Sequence, residues 1–119
     1  MRKICIFAKQ KNCCFMEKGL ILERIKQLAL AILPQGSSLW LYGSHARGDY
    51  HDNSDWDLLI LLDKSKITSK DYDLTYSFRE LGWSLGAEIS PHIYSKSQWV
   101  NWSFLPFYKN VEQDKIVLV

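Results

Sequence analysis

Two aspartates, Asp55 and Asp57, are separated by one residue at the start of an apolar segment, residues 56–62. Alternate side chains of a β-strand leave the same face, so the two carboxylates would stand side by side, with Cα atoms about 6.6 Å apart. Neighbouring carboxylates over an apolar base repel each other unless a cation offsets their charge. Mg²⁺ suits such a pair, because it binds one or two carboxylates and keeps positions open for phosphate oxygens. The spacing therefore predicts a divalent-metal site for a phosphate-containing substrate.

A third carboxylate, Glu88, is placed near this pair by the predicted topology. A helix is predicted between strand 56–62 and strand 87–94, as in a parallel crossover, and parallel neighbours begin at the same end of a sheet. Glu88 would be one residue into its strand. Three carboxylates around one point can hold two divalent ions about 3.5–4 Å apart, which suits in-line phosphoryl transfer. We therefore predict Asp55, Asp57 and Glu88 as catalytic residues and as ligands of two Mg²⁺ ions, with Mn²⁺ as the alternative metal.

Donors for the phosphates are predicted in a second segment. Strand 39–42 should run antiparallel to strand 56–62, which brings its end next to the aspartates. Gly43 lets the backbone approach a bulky ligand closely. Ser44 offers a hydroxyl at the start of a short predicted helix whose amides attract phosphate, and Arg47 adds a fixed positive charge. Gly43, Ser44 and Arg47 are therefore predicted to bind phosphate.

The two segments together resemble the signature of the nucleotidyltransferase superfamily related to DNA polymerase beta, most closely the stand-alone minimal nucleotidyltransferases of bacteria and archaea. The resemblance covers residues 20–118, and its specific motif lies in residues 41–62. The matching residues are Leu41-Tyr42-Gly43-Ser44-His45-Ala46-Arg47-Gly48 and Ser54-Asp55-Trp56-Asp57-Leu58-Leu59-Ile60.

The resemblance implies transfer of a nucleoside monophosphate from an NTP, with ATP as the default, to an acceptor hydroxyl, and release of pyrophosphate. It implies that Gly43 and Ser44 hold the nucleotide phosphates while Asp55 and Asp57 bind the metals. The third acid of the family is generally an aspartate inside a later strand, whereas this chain offers the longer side chain of Glu88.

The resemblance also supports a second hypothesis, in which the chain acts by binding a partner protein. Many minimal members are antitoxins paired with a helical partner of the HEPN type, so the chain could be a binding module that occludes a partner with or without nucleotidyl transfer. A degenerate domain that only binds nucleotide is disfavoured by the intact Ser44, Arg47, Asp55 and Asp57. Since 119 residues leave no room for a separate acceptor-binding domain, a HEPN-type partner or a homodimer is expected to complete the site.

Composition excludes several other classes. The chain is 47% apolar with five tryptophans, which indicates one packed domain. A net charge of +2 argues against a protein that coats nucleic acid, and no segment is long enough to span a membrane. Cys5, Cys13 and Cys14 form no disulfide framework, so reduced thiols and a cytoplasmic location are expected. His45, His51 and His92 fit no zinc spacing with these cysteines, and we assign them no role.

Periodicity and capping signals predict the elements that position the site. Residues 1–16 are taken as an N-terminal extension of unassigned role, and residues 17–119 as the nucleotidyltransferase domain. The predicted fold is α/β, at the border with α+β, with a small mixed sheet packed with helices. Its elements are a helix over 17–33, strands over 39–42 and 56–62, a helix over 69–85, an edge strand over 87–94 containing Pro91, a short helix capped by Ser95 and Gln98, a helix beginning at Pro106, and an edge strand over 115–119.

Overall fold

The computed structural model describes residues 18–51 and 53–119. The predicted N-terminal extension, its three cysteines and the boundary at residue 17 lie outside these residues. The elements in chain order are helix α1 (Lys18–Ile32), strand β1 (Ser38–Tyr42), helix α2 (Ser44–Arg47), strand β2 (Trp56–Leu62), helix α3 (Ser69–Leu85), strand β3 (Ile89–Ser95), helix α4 (Lys96–Asn101), helix α5 (Pro106–Asp114) and strand β4 (Ile116–Val117).

The four strands form one mixed sheet in the order β3-β2-β1-β4. β1 is antiparallel to both β2 and β4, whereas β2 and β3 are parallel, with Trp56 opposite Ile89. Parallel strands need a crossover connection, and α3 supplies it between β2 and β3. The predicted α/β fold with a small mixed sheet is confirmed.

Both faces of the sheet are covered. Leu58 and Ile60 of β2 point into a core shared with α1 and α3, and Leu59 and Leu61 point into a second cluster under α4 and α5. A strand buried on both faces is expected to be a continuous apolar run, as β2 is. The first core contains Ile21, Ile25, Leu39, Leu41 and Phe78, and the second contains Trp99 and Val111.

Local capping signals set the ends of the later elements. The Thr68 amide donates to Asp71 Oδ2 at 2.9 Å where α3 begins, and α3 ends at Gly86, which has a φ of 72°. The Gln98 amide donates to Ser95 Oγ at 3.0 Å where α4 begins. These predicted boundaries are confirmed, as is the placement of Pro91 on an edge strand, where a missing amide donor is tolerated. Among the described helices, none combines the length and apolarity needed to cross a membrane.

Gly82, inside α3, has no space for a side chain. A Cβ atom there would lie 2.7 Å from the Ala87 carbonyl oxygen and 2.9 Å from Ile89 Cγ1. Alanine normally favours a helix over glycine by about 1 kcal/mol, but here it would push against the backbone that leads into β3. We expect Gly82→Ala to lower the free energy of unfolding by about 1–3 kcal/mol in urea denaturation.

The control for this substitution is Ser84→Ala, two residues further along an exposed part of the same helix. It introduces no contact and should change the free energy of unfolding by less than about 0.5 kcal/mol. A Gly82→Ala variant as stable as the natural chain would show that α3 and β3 can separate without loss of packing.

Candidate active site

The end of β1 and the start of β2 bring Gly43 against Asp57. The sheet register places Tyr42 opposite Asp57, so Gly43 follows immediately beside the aspartate. Gly43 has a φ of 78°, and a Cβ atom on it would lie 2.3 Å from Asp57 Oδ2. The carboxylate therefore occupies space that only glycine leaves free. The structure thus brings together two segments that the sequence analysis joined by topology.

Asp55 and Asp57 differ in their surroundings. Asp55 lies just before β2, is exposed, and accepts a hydrogen bond from Ser90 Oγ at 3.1 Å. Asp57 is half-buried, and its pKa is raised by that burial and by the charge of Asp55, with His92 and Arg47 acting in the opposite direction. The protein therefore compensates the negative charge of the Asp57 carboxylate only in part, and a bound cation would complete the compensation.

Glu88 does not join these two aspartates. β3 begins at Ile89, so Glu88 lies before the strand, where its carbonyl oxygen accepts a hydrogen bond from the Trp56 amide at 2.8 Å. The placement of Glu88 inside the strand was wrong, because the turn that ends α3 extends to residue 87, whose amide bonds to the Gly82 carbonyl. Within residues 18–51 and 53–119, no three His, Cys, Asp or Glu side chains converge where they could hold a metal ion. The predicted cluster of three carboxylates is therefore not formed in the part of the chain described.

Ser90 takes the position on β3 that lies opposite Asp57. Its hydroxyl bonds to Asp55, so it belongs to the site although the sequence analysis missed it. The signal that could have found it is the parallel register, since a start of β3 at residue 89 instead of residue 87 moves Ser90 to the place expected for an acid.

Arg47 is held by carboxylates. Its Nε donates to Asp49 Oδ2 at 3.2 Å, and a terminal nitrogen donates to Asp114 Oδ2 at 3.0 Å. Arg47 therefore ties the turn after β1 to the end of α5, and these two acids raise the pKa of the guanidinium. A phosphate that used Arg47 would have to compete with Asp114. Ser44, the first residue of α2, directly follows Gly43 and lies on the same turn.

An aromatic wall borders Asp57. The Tyr42 ring packs edge-on against Phe107, with centroids 5.7 Å apart, and lies 6.5 Å from the His92 ring. Burial and the nearby charge of Asp57 raise the pKa of the Tyr42 hydroxyl, which stays protonated at neutral pH. Phe107 comes from α5, far away in the sequence, so no local pattern could have placed it here.

A family profile described as a nucleotidyltransferase domain matches residues 20–118. The chain belongs to this family. The predicted family and the predicted class of function, a nucleotidyltransferase, are confirmed. Among curated protein sequences, none matches the chain at a significant level.

Solved structures with the same fold include several toxin–antitoxin complexes. One toxin–antitoxin crystal structure with AMP-PNP aligns at 18% identity and a TM-score of 0.57, covering 82% of this chain and 72% of that one. A tri-AMPylated Shewanella oneidensis HEPN toxin in complex with an MNT antitoxin aligns at 14% identity and a TM-score of 0.55, covering 87% and 72%. The toxin–antitoxin MntA–HepT aligns at 15% identity and a TM-score of 0.53, covering 86% and 72%. At these identities the likeness confirms the fold.

His45 is the most enclosed polar residue of the nucleotidyltransferase motif. Only 5% of its surface is exposed, and its ring is stacked between the rings of Trp56 and Tyr50. The ring centroids are 3.7 Å apart for His45 and Trp56, and 4.4 Å apart for His45 and Tyr50. Its Nε2 lies 3.1 Å from the Ser54 carbonyl oxygen. Burial lowers the pKa of His45, so the ring is neutral and Nε2 carries the proton that it donates to this carbonyl.

This lowered pKa predicts a loss of stability in mild acid. Above the unfolded-state pKa of about 6.5 the ring is neutral in both states, and below it the unfolded chain takes up a proton that the folded chain resists. We therefore expect the free energy of unfolding to fall as the pH drops from about 7.5 to about 5.5. His45→Phe should flatten this dependence, whereas the exposed His51→Phe should keep it. An unchanged slope in His45→Phe would mean that His45 titrates normally.

A cavity of about 600 Å³ lies beside Asp55. Asp55 thus borders both this cavity and the site at Gly43, and the exposed Trp83 forms part of the cavity wall. The lining combines aromatic and charged groups, among them Lys18, His45, Tyr50, Trp56 and Glu88. Glu88 therefore lines the same cavity as Asp55, whereas Gly43 and Asp57 are not part of its lining.

Proposed function

We propose that this nucleotidyltransferase transfers a nucleoside monophosphate from ATP to an acceptor hydroxyl and releases pyrophosphate. The observation that carries the proposal is the contact between Asp57 and Gly43. In this proposal the Asp57 carboxylate would bind a metal ion beside the turn that would hold the triphosphate. The carboxylate oxygens of Asp57 and of the exposed Asp55 form a donor set that suits Mg²⁺ or Mn²⁺. The raised pKa of Asp57 indicates that its negative charge is only partly compensated by the protein.

The residues of the site would then have distinct roles. Asp55 and Asp57 would hold up to two divalent ions, which neutralise charge on the triphosphate when bound. Gly43 leaves room for the phosphates, and the Ser44 hydroxyl donates to a phosphate oxygen. Ser90 keeps the Asp55 carboxylate in its orientation through the 3.1 Å hydrogen bond. Arg47 would exchange Asp114 for a phosphate oxygen, which orders the turn around the bound nucleotide.

In the reaction, the acceptor oxygen forms a bond to the α-phosphorus, and the bond from that phosphorus to the bridging oxygen of the β-phosphate breaks. Pyrophosphate leaves, and the proton of the acceptor hydroxyl passes to a carboxylate. We propose Asp55 for this step because it also borders the cavity from which an acceptor could approach. Glu88, at the same cavity, is the second candidate for the proton.

A second candidate function is pairing with a helical HEPN-type partner. The similar solved structures are toxin–antitoxin complexes, one of them with a HEPN toxin that carries AMP groups. This chain also exposes Tyr72, Tyr76 and Trp83 along α3, each more than half exposed. An aromatic stripe of this kind commonly marks a protein interface. We propose that such a partner, rather than a second copy of this chain, supplies the acceptor hydroxyl.

The test uses ATP labelled at the α-phosphorus, Mg²⁺ and a HEPN-type protein encoded beside the gene for this chain. We expect the label to move to the partner while pyrophosphate is released, and a chelator to stop both. A complex that forms without label transfer supports the binding module alone. If no complex forms and no label is transferred, either with this partner or with the chain by itself, both candidate functions are contradicted.

A further inference from the structure

One side chain joins the two halves of the proposed site. His45 follows Ser44 on the phosphate-binding turn, and its ring contacts the residues on both sides of Asp55, namely Ser54 and Trp56. We propose that His45 is a positioning residue that holds the phosphate-binding turn and the metal-binding aspartates at a fixed separation. This inference rests on the proposed function and assigns a residue that the sequence analysis left without a role.

The contacts of His45 restrain both the position and the tilt of the turn. The ring planes of His45 and Trp56 are 10° from parallel at 3.7 Å, and Tyr50 covers the other side at 4.4 Å and 22°. The hydrogen bond to the Ser54 carbonyl fixes the ring within its own plane. Lys18 Nζ donates to the His45 carbonyl at 3.0 Å, which anchors the turn to α1 as well.

Packing alone does not explain why this residue is a histidine. A carbonyl oxygen can only accept, so Nε2 must carry the proton and Nδ1 becomes an acceptor. Nδ1 is buried and has no hydrogen-bond partner in the described part of the chain. A buried acceptor without a partner is destabilising, and a phenyl ring would fill the same stack without one. A residue that violates local rules for stability is more often kept for function.

The proposed role has a measurable consequence. The turn at Ser44 and the pair Asp55 and Asp57 must bind the same metal–nucleotide complex. When their separation is fixed in advance, Mg²⁺ bound to the aspartates and phosphates bound to the turn strengthen each other. If the separation can vary, each half still binds its own ligand, but the mutual strengthening is lost.

The experiment measures AMP-PNP affinity by calorimetry with and without Mg²⁺, for the natural chain, His45→Phe and His45→Gln. In the natural chain we expect Mg²⁺ to tighten AMP-PNP binding. His45→Phe keeps the stack but not the donor, and should reduce this Mg²⁺-dependent gain about tenfold while metal-free affinity is nearly unchanged. Its melting temperature should be equal or higher, because the buried Nδ1 is gone. His45→Gln keeps a donor and should recover part of the gain.

The control is His51→Phe, the same substitution at an exposed position in the following loop, which should behave like the natural chain. A second measurement, hydrogen exchange of the Ala46, Arg47 and Gly48 amides without ligand, should be faster in His45→Phe. A full Mg²⁺-dependent gain and unchanged exchange in both His45 variants would overturn the positioning role but leave the proposed function standing. A natural chain that binds AMP-PNP equally with and without Mg²⁺ would overturn both.

Discussion

Asp57→Asn is expected to lower nucleotidyl transfer by about a thousandfold or more while the domain stays folded. The amide keeps the size of the side chain but loses the charge that would hold the metal next to Gly43. Release of pyrophosphate from ATP and Mg²⁺, with the acceptor partner present, measures this loss. Asp73→Asn, which removes a carboxylate from an exposed position of α3, should retain full activity.

Asp57→Asn should also raise the melting temperature of the domain slightly in metal-free buffer. Burial and the charge of Asp55 raise the pKa of Asp57 in the folded chain. At neutral pH the charged form is therefore held in an unfavourable place, and stability increases as the pH falls through the folded-state pKa. Asparagine removes that penalty at all pH values. A clear drop in the melting temperature would instead show that Asp57 supports the fold.

Gly43→Ala is expected to reduce transfer about a hundredfold, because it would displace the carboxylate of Asp57, the proposed metal ligand. The added Cβ would lie 2.3 Å from Asp57 Oδ2, a distance at which one group must move. Alanine is also strained at the observed φ of 78°. We expect the free energy of unfolding to fall by about 1–3 kcal/mol in urea denaturation.

Gly48→Ala is the matched control for this prediction. Gly48 also has a positive φ, of 91°, but an added Cβ atom would meet nothing within 4 Å. It should therefore lose about 1–2 kcal/mol of stability from backbone strain while transfer changes little. If Gly43→Ala and Gly48→Ala lose activity equally, backbone strain and not the contact with Asp57 explains the effect.

The elements of this fold were predictable because their signals are local. The apolar run of β2 indicated a strand covered on both faces, and the capping residues Thr68 and Ser95 marked the starts of α3 and α4. The antiparallel pairing of β1 with β2 was predicted from the turn-rich segment between them, and it brings Gly43 next to Asp57. Each of these signals acts within a few residues, where backbone geometry and solvation largely decide the structure.

What the sequence by itself determined is the family motif: the glycine–serine turn and the paired aspartates at the start of a strand. Only the tertiary structure decided which side chains surround them. The start of β3 at Ile89 places Ser90, not Glu88, opposite Asp57. The end of α5 brings Asp114 to Arg47. These partners are far apart in the chain, and a difference of two residues in where β3 begins exchanges Glu88 for Ser90.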